Sequence, residues 1–304
     1  MSTTAAPIAP RVATPARPSI AQTAVGGWRR FSRRNSLGVV CAAFRGGLGG
    51  LAIFADQIVP YDPLAASYTA VRAAPSAAHA LGTDDLGRDV LSRIILGTRV
   101  TLLVAITAVA LGDSVGFAWG LLSGYLGGRF DLLSQRVLDV LLSFPSLILA
   151  LLLMVGLGAG LQTVIIAIAV TRVPTSTRVV RSLVLSVKQV TFIDAARALG
   201  ASASRIMRRH VAPQCVAPFL IVATANLGQA IFAEAALSFL GVGVPPPTPS
   251  WGNMLGGVLA QAFRPPWWLA VFPGLAVTLT ILATNLLGDS IRDFIDPTLR
   301  RRLD

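Results

Sequence analysis

Six apolar runs punctuate the chain, at residues 36–58, 99–124, 137–157, 161–180, 215–241 and 268–288. Each is close to the ~20 residues a helix needs to cross a bilayer. The first is the least clean, because Arg45 and the glycines 46, 47, 49 and 50 interrupt it. The third and fourth are separated by Gly156, Gly158 and Gly160, a spacing that predicts a tight turn. Upstream, residues 1–35 are rich in Pro, Ala, Thr and Arg without hydrophobic periodicity, and read as a disordered tail. The basic cluster Arg29, Arg30, Arg33 and Arg34 comes too late, and the apolar run after it is too long, for a secretory signal peptide. The expected layout is an N-terminal tail (1–35), a first span with its following loop (36–98), a main membrane domain (99–290) and a C-terminal tail (291–304).

Charges between the runs alternate. Before the first stand Arg11, Arg17 and the late arginine cluster with no acid. Between the first and second, Asp56, Asp62, Asp84, Asp85 and Asp89 outnumber Arg72, Arg88 and Arg93. Lys188, Arg197, Arg205, Arg208 and Arg209 face Asp194 alone between the fourth and fifth; only Arg264 falls between the fifth and sixth; Arg292 and Arg300–Arg302 follow the last. The positive-inside rule puts both termini and the 181–214 loop in the cytoplasm, and the 59–98 and 242–267 loops outside. Trp251, Trp267 and Trp268 flank the outer end of the last run, where indole rings anchor at the membrane interface.

Composition narrows the class. Of 304 residues, 54% are hydrophobic and 13% charged, with mean hydropathy +0.68. A soluble domain carries about 25% charged residues, so a cytosolic enzyme, a disordered chain and a DNA-binding domain are excluded. The fold class is an all-α polytopic bundle of six transmembrane helices. The net charge of +12 is scattered between apolar blocks without a basic groove, so it speaks for cytoplasmic loops and membrane lipid and against a nucleic-acid partner. Cys41 and Cys215 lie far apart in apolar stretches, with neither a metal-ligand spacing nor a disulfide framework. No cofactor site is predicted.

The 181–214 loop carries the most information. Thr191 can cap a helix, with Asp194 reaching back three residues later near the helix N-terminus. Phe192, Ala195, Ala196 and Leu199 fall at helical spacing on one stripe. Gly200 stops the helix, Ser202 or Ser204 can start a second, and Pro213 closes the segment before the next span. This helix–Gly–helix knob is either an amphipathic element lying on lipid or a handle gripped by another protein.

Asp194-Ala195-Ala196, Gly200, Ile206 and Pro213 resemble the EAA-type signature of permease subunits in bacterial ABC importers. The likeness covers nearly all the chain after residue 50. Gly82-Thr-Asp-Asp-Leu-Gly-Arg-Asp89, Phe144-Pro145, Glu234-Ala-Ala-Leu-Ser-Phe-Leu-Gly241, Pro246–Met254, Phe272-Pro273-Gly274 and Asn285–Asp289 are similar to the second permease subunit of dipeptide/oligopeptide transporters. Two departures stand out: Asp194 replaces the usual Glu, and the first span is interrupted where family members are cleanly apolar. The resemblance implies a heterodimer with a second permease subunit, two ATP-binding subunits gripping the knob through Asp194, Ala195, Ala196, Leu199, Gly200, Ile206 and Pro213, and an extracytoplasmic substrate-binding protein at the outer loops. It places the chain in the bacterial inner membrane and makes it a non-enzymatic pathway for di- or oligopeptides, or alternatively for nickel or another small solute. The sequence agrees in having no phosphate-binding loop of its own.

A secondary transporter is the first rival reading, but no internal repeat supports it. An intramembrane protease would need a nucleophile and base within a span, whereas His79 and His210 both lie in loops. The Gly82–Asp89 segment can hold a cation or amine on its carboxylates. Its spacing favours a turn capped by Thr83 or Asp84, with Arg88 and Asp89 in an interfacial helix. Intramembrane charges are functional suspects. Arg45 lies about 13 Å and Asp113 about 10 Å from the inner ends of their spans, depths that match within a turn and predict a mutual pair. Glu234 either marks a helix bend or lines the pathway.

Overall fold

A computed structural model describes residues 36–261 and 265–295. The expected N-terminal tail, Arg264 and residues 296–304 lie outside the described residues. Among the described residues the chain is helical, with no strand beyond one isolated bridge between Thr83 and Asp89.

Helix α1 spans Ser36–Ile53 and is followed by the single turn α2, Ala55–Ile58. A loop leads to α3, Val90–Leu126. The bent pair α4 (Gly128–Leu142) and α5 (Ser146–Leu157) precedes α6, Leu161–Val187. The short α7 (Thr191–Ala198) and α8 (Ala203–Ile206) come next. A π turn, Met207–Val211, joins α8 to α9, Ala212–Phe239. The last described elements are α10 (Trp251–Gln261) and α11 (Trp267–Ile295).

Among the described residues, four helices are long and apolar enough to cross a membrane: α3, α6, the continuous 203–239 helix and α11. The pair α4–α5 qualifies as a fifth only if taken as one broken span, because the two meet at 87°. The sequence predicts six spans, and two of them differ for physical reasons. The third run breaks at Ser143–Pro145. Pro145 has no amide hydrogen to donate, and it disfavours a helical conformation at Phe144. The first run ends early at Ile53, where Arg99 of α3 takes over the orphan carbonyls. Its Nε donates to the Ala52 oxygen at 2.7 Å and its Nη2 to that of Ile53 at 3.1 Å, while Nη1 pairs with Asp56 at 2.9 Å.

The bundle is organised by α3 and α6, which run parallel in close contact. Gly112, Gly116, Gly120 and Gly124 form a four-residue repeat on the α3 face that meets Ala169, Val173, Ser176, Val180 and Val184 of α6. A Cβ at Gly116 would stand 2.6 Å from the Ser176 Cβ, and one at Gly124 2.9 Å from the Val184 Cβ. Lipid tails compete with apolar side chains on equal terms, so helices in a bilayer associate where small residues let backbones approach. The opposite side of α3 leaves Leu103, Ile106, Leu111 and Val115 exposed, as a lipid-facing surface requires. The apolar core beside the seam gathers Val104, Ala108, Val164 and Ile168 with Ile231 and Leu237 of α9.

The 59–89 loop folds over the start of α3. Asp89 is the helix cap, accepting from the Ser92 amide at 2.8 Å and its hydroxyl at 2.7 Å. The expected caps, Thr83 and Asp84, do other work. Buried Thr83 accepts from Trp268 Nε1 at its carbonyl (3.3 Å), and Asp84 binds the Leu86 and Arg88 amides and the Arg88 side chain within the turn. Arg88 and Asp89 therefore precede the helix instead of lying in it. Asp85 pairs with Arg72 and Asp89 with His79, so the loop's carboxylates are spent on its own turns. Trp251 departs from the interfacial-belt expectation. It is fully buried and donates Nε1 to the Ile94 carbonyl at 3.1 Å, whereas Trp267 remains exposed.

Gly116→Val is expected to force α3 and α6 apart, at a cost of about 1–3 kcal/mol or more, while Gly156→Ala, where a Cβ meets nothing within 4 Å, stays near neutral. Melting temperatures of the detergent-purified protein check both.

Candidate functional site

At one end of the bundle α6 gives way to the knob. Helix α7 begins at Val190 without a side-chain cap. Thr191 is its first helical residue instead of the expected cap, and Asp194 accepts from Arg197 Nη1 at 2.9 Å instead of reaching back. The helix closes as the glycine predicts. Gly200 adopts φ +76°, its amide donates to the Arg197 carbonyl at 2.9 Å, and the Ala201 amide donates to that of Ala196 at 3.1 Å, the paired bonds of a Schellman stop. Ser202 caps α8, accepting from the Arg205 amide at 3.4 Å. The chain then does not stop at Pro213. The π turn carries α8 straight into α9, so Pro213 lies inside one continuous helix, directly after the π turn.

The knob has two faces. Ile193 and Ile206 are buried and, with Ala196 and Ala201 beside them, pack on Val180 and Val184 of α6 and on Val211, Cys215 and Phe219 below. Lys188 ties the base to α3, its Nζ donating to the Tyr125 carbonyl at 2.8 Å and to that of Gly124 at 3.2 Å, so that one cation covers orphan acceptors at a helix end. The outward face carries Phe192, Asp194, Ala195, Leu199 and Gly200, all exposed, Leu199 by 87%. The expected stripe therefore splits: Ala196 turns toward the bundle, while Phe192, Ala195 and Leu199 face out. Of the remaining signature positions, Ile206 is an anchor and Pro213 an exposed helix-start residue.

Near this end α4 is clamped to α6. Arg181 binds Asp131 through two bonds of 2.6 Å, and Arg178 pairs with Asp139. Neither arginine belongs to a sequence motif.

Deeper in the bundle sits a buried charge pair. Asp113 accepts from Ser176 Oγ at 2.5 Å and from Asn226 Nδ2 at 3.1 Å; its cation is Arg172, with Nε at 3.4 Å. The expected partner, Arg45, goes elsewhere: its Nη1 donates to Thr284 Oγ1 of α11 at 3.1 Å. Matching depth was not enough, because Asp113 follows Gly112 on the side of α3 that meets α6 and α9, whereas Arg45 sits on α1 against α11. Arg172 was legible as a charge inside the 161–180 run, but averaging hydropathy over that run concealed it. Arg172 and Gln229 also line a cavity of about 350 Å³.

Glu234 lies within the unbroken α9 and is not among the residues lining that cavity. It is fully buried near the end of a continuous α9, where Oε1 accepts from Ser238 Oγ at 2.8 Å; that hydroxyl in turn accepts from the Val244 amide at 3.2 Å and holds the following turn.

Asp113→Ala is expected to cost on the order of 3–5 kcal/mol by stranding the Arg172 charge, and pairing Asp113→Asn with Arg172→Gln to recover most of the loss. Exchanging Arg45 and Asp113 recovers none. Thermal unfolding in detergent distinguishes these outcomes.

Residues 116–301 match the family model described as binding-protein-dependent transport system inner membrane component. The glutathione transport system permease protein GsiD of Escherichia coli O1:K1 / APEC is 43% identical over 274 residues, covering 90% of each chain. GsiD of Pectobacterium atrosepticum is 40% identical over the same length, with the same coverage. Among solved structures, the inward-facing MetNI methionine ABC transporter aligns with TM-score 0.57 at 19% identity, covering 68% of this chain and 98% of its own. An amino acid ABC transporter with histidines aligns with TM-score 0.51 at 18% identity, covering 69% and 94%. These two likenesses bear on the fold alone, while the family match and the GsiD relatives together span most of the sequence. The chain belongs to the family of binding-protein-dependent transport system inner membrane components, as a multi-pass permease subunit of an ABC importer of the dipeptide, oligopeptide and nickel group.

Proposed function

We propose that this permease forms half of the pathway for a di- or oligopeptide and is driven through its knob by a separate ATPase subunit. The observation that carries the coupling role is the rigid, solvent-facing stripe of Phe192, Ala195 and Leu199 on a helix whose other face is locked into the bundle. An apolar surface so small, bordered by Asp194 and Arg197 and rooted by Ile193 and Ile206, suits a protein cleft better than a bilayer. Family membership supplies the context of ATPase and substrate-binding subunits. The peptide reading draws support from the GsiD relatives, whose named solute, glutathione, is itself a tripeptide.

Displacing the knob moves α6 and α9 together, because Ile193 and Ile206 share one buried apolar cluster with Val180, Val184 and Phe219. Those same two helices carry Arg172 and Gln229 farther along the bundle. A closing pair of ATPases thereby reaches the pathway by tilting helices, and a second permease subunit completes the opposite wall. Arg178, Arg181, Lys188, Arg197, Arg205, Arg208 and Arg209 cluster toward the knob end, and Asp56, Asp62, Asp84, Asp85 and Asp89 toward the other. On the positive-inside rule the knob and both termini lie in the cytoplasm, and the 59–89 loop faces the substrate-binding protein.

Leu199→Arg or Ala195→Arg is expected to lower ATP-dependent uptake of a dipeptide or glutathione by about tenfold or more, equivalent to ~1.4 kcal/mol of lost docking free energy. The melting temperature of the permease should not change, because both positions are exposed. Uptake and ATPase rates in proteoliposomes holding the complete importer are the measurement; full coupling in both variants overturns the docking role.

A further inference from the structure

We infer that the cavity between α5, α6 and α9 is a subsite for a carboxylate of the transported solute, anchored by Arg172. The inference rests on the peptide-importer reading and adds to it the group recognised. The cavity's volume, about 350 Å³, falls within the ~300–1,000 Å³ of small-molecule sites. Its polar wall is Ser146, Thr171, Arg172, Thr175 and Gln229, and among its apolar residues Phe232 is 59% exposed, which gives the cavity an open side.

The donor census of Arg172 carries the argument. Its side chain is 9% exposed, hence nine-tenths buried. A guanidinium offers five N–H donors. Here Nε reaches Asp113 at 3.4 Å and Nη1 reaches Gln229 Oε1 at 3.3 Å. Nη2 has no partner among the described residues. Both bonds are long beside the ~2.7–2.9 Å of a charge-assisted contact. Asp113, by contrast, is held more closely by the neutral donors Ser176 and Asn226. The acid therefore balances the charge of Arg172 while leaving its hydrogen-bonding capacity largely unused. Unmade bonds in a buried cation are costly, and a site with unspent donors is completed by what binds there.

The chemistry selects the ligand. A planar guanidinium edge matches a carboxylate bidentately. With Asp113 beside Arg172 the pair is neutral overall, which suits a monoanionic carboxylate better than a dianionic phosphate. The hydroxyls of Ser146, Thr171 and Thr175 can serve the amide groups of the same solute. Bringing the carboxylate to Nη1 and Nη2 displaces Gln229 Oε1, so the glutamine amide is the local stand-in that the solute replaces. Because α6 and α9 are also the helices wedged by the knob, a shift there changes the separation of Arg172 and Gln229 and with it the hold on the carboxylate.

Gln229→Glu tests this with an isosteric change that supplies a permanent carboxylate to Arg172. The complete importer, with its own substrate-binding protein, is reconstituted in proteoliposomes, and ATP-dependent uptake of Ala-Ala is compared with that of its C-terminal amide. The binding protein is the same throughout, so any discrimination it imposes is common to all samples. Gln229→Glu should lower the acid-to-amide uptake ratio about tenfold relative to wild type. Arg172→Lys, which keeps a counter-charge for Asp113 but loses the planar fork, should lower it in the same direction. An unchanged ratio in both variants, or an equal loss of both probes in both, overturns the carboxylate subsite and leaves the peptide reading standing. Wild-type uptake of neither probe overturns the peptide reading and the subsite with it.

Discussion

The close approach of α3 and α6 is the constraint on which the rest depends. In lipid, burying apolar side chains gives little net drive, and backbone proximity with its many short contacts takes over. Four glycines at every fourth position of α3 provide it, bringing α6 carbonyls and β-carbons to where a methyl group would stand. The seam fixes the rotation of both helices. Once it is set, Asp113 faces Ser176 and Asn226, Arg172 falls within reach of the same carboxylate, and the final turns of α6 present Val180 and Val184 to the knob.

That geometry makes the two ends of the bundle one mechanical unit. The knob is closed by a Schellman stop at one helix and a serine cap at the next, so it has little freedom to deform locally. Its buried isoleucines share one apolar cluster with residues of α6 and α9, and Lys188 adds a tie to α3. Arg181 and Arg178 extend the rigid region to α4. The buried side of the knob thus continues into the apolar cluster of the long helices. The break at Ser143–Pro145 separates α4, clamped to the knob end, from α5, whose Ser146 lines the cavity.

Much of this was legible in the sequence because it is local. The apolar runs marked the long helices, Gly200 and the pair Ser202 and Ser204 marked the turn within the knob, and the order of motifs marked the family. What was not legible is what depends on rotation or on single hydrogen bonds. Hydropathy does not register the donor Pro145 lacks, so a broken helix read as one span. It averages Arg172 into an apolar stretch. Depth along a helix carries no azimuth, so Arg45 matched Asp113 on paper while facing α11 in the fold. Trp251 carries the composition of a belt residue, but its indole is committed to the Ile94 carbonyl within the core. The glycine repeat, visible all along at 112, 116, 120 and 124, gained meaning only once its partner helix was known.

Two acids buried among the long helices, Glu234 and Asp113, show why burial alone does not define a site. Glu234 is fully buried; its Oε1 secures Ser238 and the turn to Val244, while its Oε2 has no partner among the described residues. Asp113 is almost as deeply buried, but its partner Arg172 reaches a wall that opens past Phe232. An ion pair closed to its surroundings only repays its own desolvation. An ion pair in which neutral donors satisfy the acid, while the base keeps unspent donors beside an open cavity, holds a charge in lipid without consuming it. In a permease that must pass polar solutes through an apolar slab, that second arrangement is the one able to exchange an internal contact for a contact with cargo.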